Sequence, residues 1–437
     1  MESLRTARKD PSGFLGTILR LVSANVINNL VSLAVTLFAA RALGPVEFGK
    51  VGLALSIVML LPLVYDFGLS TALVKHHQKP IAAIRGPIEA SVVPVLRVKT
   101  VLALAMVMLA LVFTPFLNSA VFPTLAGTGS LLVLSAVSGG LLSLWATLRA
   151  AEQARQEYRA IEKNTFLYAL LRGVSALVLF HFSGVTATTT LLALYVLPLA
   201  LFVLGHSLLG NSAVPLGPVL LRSQPGEGQV LRALWRYGGW VGVSASSFVA
   251  LSRLPQFVLE HRATTAEVGT YSAALTFLAA FSLLNDAVRL VMLPRASGLS
   301  TAQERARFRK QVRGFLPRYA VLMAIATPVV AAAALVLLGE PYRASIPVLL
   351  ILSITTLTGM YLGIFNTLLH AHEQPQYDAA VNIGRLVVLL ALLLTVPPTP
   401  LWAAAALAVT QILGEVVLYF LVSRLEAKAE GAKEMKE

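Results

Sequence analysis

Nine side chains stand out as candidates for chemistry, because ionisable and amide groups are expensive where the chain is otherwise apolar. Arg20, Arg172, Arg253 and Arg385 each interrupt a long apolar run. A charge at such a position costs about 2.5–3.5 kcal/mol on insertion scales and tends to face a cavity or a partner. Guanidinium stays charged and grips phosphate oxygens with a bidentate fork, so the four arginines together suit a lining for a phosphate-bearing ligand. The competing reading is structural: Arg20 and Arg385 reaching to the nearer aqueous surface, Arg172 and Arg253 held in buried pairs. Asn25 and Asn28 share one face of the first run. There they either hydrogen-bond neighbouring helices or read sugar hydroxyls, since amides donate and accept. Asp66, Asp286 and Glu415 are the carboxylates of the apolar runs. They are candidates for a coupling ion, H+ or Na+, against the alternatives that Asp66 and Asp286 fix helix ends and that Glu415 is a buried partner. Asp286 is also spaced to pair with Arg289 at i,i+3.

The elements that must position these groups follow from composition. Apolar residues make up 57% of the chain and charged residues 13%, where a water-soluble domain carries about 25% charge. Twelve apolar segments approach the ~20 residues that a bilayer-crossing helix requires. They are Phe14–Ala40, Val51–Val74, Val95–Leu117, Gly129–Leu148, Phe166–Phe182 and Val185–Leu209, then Tyr237–Leu259, Val268–Leu293, Phe315–Leu338, Ile346–Leu369, Ala379–Val396 and Leu401–Val422. Backbone groups in hydrocarbon must be satisfied within the segment, so each reads as a helix. The fold class is therefore an all-α polytopic membrane protein. Cysteine is absent, which excludes disulfides, thiolate chemistry and Cys-ligated metals. There is no Walker motif for ATP, and no outer loop is long enough for an external catalytic domain. The reading is of a protein that is not an enzyme and needs no cofactor.

The net charge of +14 reports orientation rather than a nucleic-acid partner. Lys and Arg fall mostly in the N-terminal tail, the even-numbered loops and the C-terminal tail. Only Arg41, Lys50, Arg262 and Arg343 lie in odd-numbered loops. Basic residues collect on the cytoplasmic side, which places both termini there. Gly210–Leu231 breaks the apolar pattern with Pro and Gly and reads as a cytoplasmic linker. It divides the chain into an N-terminal six-helix lobe (1–209) and a C-terminal one (232–437). The halves echo each other: Glu47-Phe48-Gly49 leads to Asp66 and Lys75, and Glu267-Val268-Gly269 leads to Asp286 and Arg295 at the same spacing. Equal helix number gives equal orientation, so the lobes are expected to be related by a pseudo-twofold along the membrane normal.

Five stretches carry a family resemblance. Ala40-Arg41-Ala42-Leu43-Gly44-Pro45-Val46-Glu47-Phe48-Gly49 and Asp66-Phe67-Gly68-Leu69-Ser70 resemble the N-terminal signature of bacterial oligosaccharide-lipid flippases. These are the polysaccharide-biosynthesis (O-antigen) transporters of the multidrug/oligosaccharidyl-lipid/polysaccharide exporter superfamily. Glu267-Val268-Gly269-Thr270-Tyr271-Ser272, Pro294-Arg295 and Gly339-Glu340-Pro341-Tyr342 resemble its later landmarks. The resemblance implies a multi-pass protein of the bacterial cytoplasmic (inner) membrane. Its partners would be a lipid-linked oligosaccharide, membrane lipids and a coupling ion, H+ or Na+. It would flip polyprenyl-pyrophosphate-linked oligosaccharide for cell-surface polysaccharide synthesis by alternating access. The alternative within the superfamily is an ion-coupled multidrug exporter, for which an acidic cavity is expected. Four candidate arginines against three carboxylates favour the anionic ligand.

Overall fold

The computed structural model describes residues 11–78, 89–116, 129–208, 226–279, 302–356 and 375–434, with 281 and 358. Within them every regular element is helical, as expected of backbone that must satisfy itself in hydrocarbon. In chain order these are α1 (Pro11–Asp66), α2 (Leu69–Gln78), α3 (Glu89–Phe116), α4 (Ser130–Ala154) and α5 (Tyr158–Ser183). α6 begins as Ala187–Leu191, widens into a π turn at Leu192–Val196 and continues as Leu197–Leu208. There follow α7 (Glu227–Arg262), α8 (265–279), α9 (Ala302–Leu338), α10 (Ser345–Thr356), α11 (Pro375–Thr395) and α12 (Pro400–Glu434). Eight of the described helices are long and apolar enough to cross a bilayer. Exposed Val101, Leu104, Met108, Leu111, Val112 and Phe116 give α3 an apolar outer face suited to lipid.

The first helices depart from the sequence expectation in two places. The loop expected between Ala40 and Val51 is helical, and α1 is broken only at Gly44 (φ 70°, ψ 172°). The segment expected to run unbroken from Val51 to Val74 instead breaks at Phe67 (φ 42°) and Gly68 (φ 74°), separating α1 from α2. A side chain at Gly68 would run into the Gly238 carbonyl and come within 2.8 Å of the Gly242 amide nitrogen of α7. Glycine is therefore needed twice over, for its φ and for the close approach. The linker expected at Gly210–Leu231 lies mostly outside the described residues, and Asp286 lies wholly outside them.

Compactness divides the chain into two units: Met1–Leu43 with Ala54–Gly242, and Gly44–Leu53 with Val243–Glu437. In the first unit, Leu73 of α2, Val92 and Leu96 of α3, Leu148 and Ala151 of α4 and Phe202 of α6 form one buried apolar cluster. Small residues let the helices approach: a side chain on Gly139 would meet Leu61, and one on Gly140 would meet Ala103. In the second unit, the ten residues Gly44–Leu53 join the start of α8. Phe48, fully buried, meets Tyr342 edge to face with ring centroids 6.2 Å apart.

Candidate functional site

The first unit holds a row of cations and aromatic rings between α1, α4, α5 and α6. α5 turns Ile161, Thr165, Tyr168, Arg172 and Ser175 inward, the i, i+3, i+4 stripe of a helix with one buried face. Arg172 is only 4% exposed. Its Nε donates to the Leu194 carbonyl at 3.0 Å, and Nη1 donates to Asn28 Oδ1 at 3.2 Å and to the Asn28 carbonyl at 3.4 Å. Nη2 donates to the Tyr168 hydroxyl, and the guanidinium lies 4.3 Å over the Tyr168 ring and 5.5 Å from that of Tyr195. The π turn has a direct part here. An i→i+5 turn disturbs the regular ladder, and Leu194, inside that turn, presents its carbonyl to Arg172. Arg172 and Asn28, two of the residues singled out from sequence, are thus brought together.

One turn of α1 earlier, Asn25 Oδ1 accepts from Arg149 Nη2 at 3.0 Å. Arg149 lies over the Trp145 ring at 5.3 Å, and Trp145 in turn meets Tyr168 at 5.2 Å, so the row reads Arg149, Trp145, Tyr168, Arg172. Arg20 is half exposed and 3.9 Å from Glu162. Arg149 ends up next to an expected residue although nothing in the sequence singles it out. It stands one position past Leu148, the last residue of the fourth apolar segment.

Asp66 is a joint rather than an open carboxylate. It ends α1, accepts from the Ser70 backbone amide (3.2 Å) and the Ser70 hydroxyl (2.6 Å), and pairs with Lys99 of α3. Lys99 is fully buried and also donates to Ser70 Oγ (2.9 Å) and to Thr147 of α4. Its ammonium thereby ties α3 and α4 to the α1–α2 break.

The second unit gathers Arg385 and Glu415, expected separately as ligand and coupling groups, into one ion pair of 3.2 Å. Both are almost fully buried. Gly414 leaves the room for it, since a side chain there would collide with the Arg385 guanidinium. Arg385 Nη1 donates to Asn382 Oδ1 at 3.1 Å, and Gln411 Nε2 donates to Glu415 Oε1 at 3.1 Å. Asn382 Nδ2 donates in turn to Ser244 Oγ (3.1 Å) and Asp378 Oδ1 (3.4 Å), and Ser244 donates to Asp378. The network joins α7, α11 and α12 and, among the described residues, links Asp378 and Glu415 to Arg385 through Asn382 and the ion pair. Asp378, like Arg149, stands one residue outside its expected segment. Arg253 lies elsewhere on α7, its Nη1 3.5 Å from Gln256 Oε1, while Gln256 donates to Ser272 Oγ at 2.7 Å.

Comparison with known proteins bears out the resemblance read from the sequence. Residues 15–300 match the family described as polysaccharide biosynthesis protein. No curated protein sequence matches the chain. Among solved structures, the lipid II flippase MurJ in an inward closed conformation covers 92% of this chain and 87% of its own at 15% identity, with a TM-score of 0.68. An inward-facing MATE family multidrug resistance transporter of the MOP superfamily covers 94% of this chain and 99% of its own at 13% identity, TM-score 0.62. A MOP superfamily transporter from Pyrococcus furiosus covers 94% and 96% at 14% identity, TM-score 0.59. At these identities the likeness shows a shared fold.

Proposed function

Because the chain belongs to the polysaccharide biosynthesis protein family, we propose that it flips a polyprenyl-pyrophosphate-linked oligosaccharide from the inner to the outer leaflet of the bacterial cytoplasmic membrane. On this reading twelve helices form two six-helix lobes that expose a central cavity alternately to each side, with both termini cytoplasmic. The observation that carries the choice of an anionic ligand is Arg172. It sits in an apolar helix with its donors spent on carbonyl, amide and phenol oxygens, and among the described residues no carboxylate lies within 4.0 Å of it. A buried positive charge left uncompensated keeps a positive potential in a medium where charge is weakly screened. That potential favours pyrophosphate over a cationic drug.

Multidrug export by the same fold is the second reading, and the buried carboxylates Glu415 and Asp378 are what favour it. We assign them to coupling instead: Glu415 with Asp378 would take up a proton or Na+, while Asp66, neutralised by Lys99, serves the joint between α1 and α2. Arg20, Asn28, Arg172, Arg253 and Arg385 remain in the proposed lining, Arg172 as the residue that sets its potential, and Asp286 remains a coupling candidate.

Reconstitution into vesicles with a fluorescent lipid-linked oligosaccharide tests the proposal. Wild type is expected to move the lipid outward, and Arg172→Ala and Arg253→Ala to slow it. Translocation untouched by both substitutions, or extrusion of a cationic dye in its place, would overturn it.

A further inference from the structure

We propose that Arg149 is the centre of a binding site for a phosphate that carries a sugar, the phosphate–sugar junction of the lipid-linked glycan. This rests on the flippase reading and adds the site at which the head group is gripped. Other cations of the first unit are committed: Arg172 spends its donors on Leu194, Asn28 and Tyr168, Lys99 on Asp66, Ser70 and Thr147, and Arg97 pairs with Glu227. Arg149 differs. Among the described residues its five N–H donors make one hydrogen bond, to Asn25, and no carboxylate lies within 4.0 Å of it. It borders a narrow crevice lined also by Trp145, Glu152, Asn164 and Thr165, closed by its own side chains in this conformation, so a head group enters as the helices part. An unspent guanidinium fork in an apolar helix is the group best matched to a phosphate.

The rest of the lining says what the phosphate must carry. Glu152 is three residues on along α4, and it accepts from Asn164 of α5. A carboxylate beside a cation repels a bare anion but accepts from hydroxyls. The Asn164 and Asn25 amides can do either. The Trp145 indole, with Arg149 over its ring and Tyr168 beside it, borders the same crevice and supplies an apolar surface of the kind sugar C–H groups use once Arg149 turns to the phosphate. Guanidinium, carboxylate, amide and indole in one cleft therefore discriminate in favour of a phosphate bearing hydroxyls, and against inorganic phosphate or a plain lipid pyrophosphate. The position fits loading from inside. Arg149 is near the end of α4, Asn164 near the start of α5 and Asn25 in the first part of α1, beside the Arg20–Glu162 pair. The charge pattern of the loops puts these helix ends on the cytoplasmic side, at the level of the inner head groups.

Trp145 gives the test its signal. In full-length protein carrying Trp235→Phe, Trp240→Phe and Trp402→Phe, the remaining indole is Trp145, and its fluorescence is followed during titration in nanodiscs. The probes are farnesyl-pyrophosphoryl-N-acetylglucosamine, farnesyl pyrophosphate and farnesol. The sugar-bearing probe is expected to saturate the signal at the lowest concentration, and farnesol to leave it unchanged. Losing charge-assisted hydrogen bonds worth about 1.5–3 kcal/mol, Arg149→Gln is expected to weaken the sugar-bearing probe at least about tenfold. Arg149→Lys, which keeps the charge without the fork and guards against a folding defect, is expected to fall between. Glu152→Gln is expected to tighten plain farnesyl pyrophosphate and so erase the preference for the sugar, an outcome that a purely structural Glu152 does not produce. Wild-type binding that survives both Arg149 variants overturns the site and leaves the flippase reading standing. Wild type that fails to bind the sugar-bearing probe overturns both.

Discussion

Gly49 and Gly269, 220 positions apart in the chain, lie with their backbones in contact inside the second unit. A methyl group built on Gly49 would sit 3.2 Å from the Gly269 amide nitrogen and collide with the Thr265 carbonyl. One built on Gly269 would sit 3.1 Å from the Gly49 amide nitrogen and collide with the Pro45 carbonyl. Pro45 and Thr265 are themselves equivalent in the repeat, as are Gly52 and Ser272, and a side chain on Gly52 would strike Ser272. The contact is reciprocal, each glycine facing the residue four positions before the other. The internal echo of the sequence therefore has a physical meeting point, where each copy of the motif rests on the other.

That reciprocity makes the two glycines unequal to others. Gly269→Ala forces two helix backbones apart, and overpacking of this kind costs about 1–3 kcal/mol. Gly384→Ala on α11, where nothing lies within 4 Å, is expected to be neutral or to stabilise by about 0.5–1 kcal/mol, as alanine does in a helix interior. Thermal unfolding in detergent checks the contrast. Equal melting temperatures for the two variants would show that the close approach carries no weight.

Lys99→Met is expected to destabilise strongly, by about 3–5 kcal/mol, because it strands Asp66 next to a buried site with its cation gone. The double variant Lys99→Met/Asp66→Asn removes both charges and is expected to recover a large part of that loss. A double-mutant cycle by thermal unfolding reads the coupling. Additive losses would dissolve the pair as an energetic unit. The same cycle bears on function, since Asp66 as a coupling carboxylate would need to exchange its cation during transport.

The helices were legible in the sequence because hydrocarbon leaves the backbone no alternative, and the apolar runs mark their extent. The breaks were less so. Gly44 and Gly68 sit inside helical runs, and what demands Gly68 is a tertiary contact with Gly238 and Gly242 that no local pattern displays. Arginines in an apolar run announce themselves by their cost, and of those singled out Arg172 and Arg385 are buried while Arg253 is half-buried. Their partners were not legible. Arg149 and Asp378 stand one residue beyond the ends assigned to their segments, where a charge costs little and carries no signal. Asn382, Gln411 and Ser244 matter only because α7, α11 and α12 converge. Pairing is a property of the fold, and the sequence supplies only the members.

Arg172→Lys separates charge from geometry. The guanidinium serves the Leu194 carbonyl, both Asn28 oxygens and the Tyr168 hydroxyl at once. A lysine ammonium has three donors at a single point and cannot span those acceptors. With at least one buried acceptor left unsatisfied, the expected loss is about 1–3 kcal/mol. Transport should persist at reduced rate, because the positive charge remains. A lysine variant as stable as wild type would mean that the clamp between α1, α5 and α6 is electrostatic and indifferent to shape.

Glu415→Gln distinguishes a coupling carboxylate from a structural one. Gln can still accept from Gln411 Nε2, but the change removes the charge that Arg385 pairs with. Leaving that guanidinium buried is expected to cost stability, so folding is checked by thermal unfolding before transport is read. Arg385→Met leaves the buried Glu415 carboxylate without the cation it pairs with and is expected to cost about 3–5 kcal/mol. The functional readout is flipping of a fluorescent lipid-linked oligosaccharide in vesicles under an imposed pH or Na+ gradient. Wild type is expected to respond to one of the two gradients. Glu415→Gln is expected to flip at a rate that no longer depends on that gradient, since the group that binds the ion in one state and releases it in the other has lost its charge. A folded Glu415→Gln protein that still follows the gradient as wild type does would remove Glu415 from the coupling reaction and leave Asp378 as the carboxylate to test next.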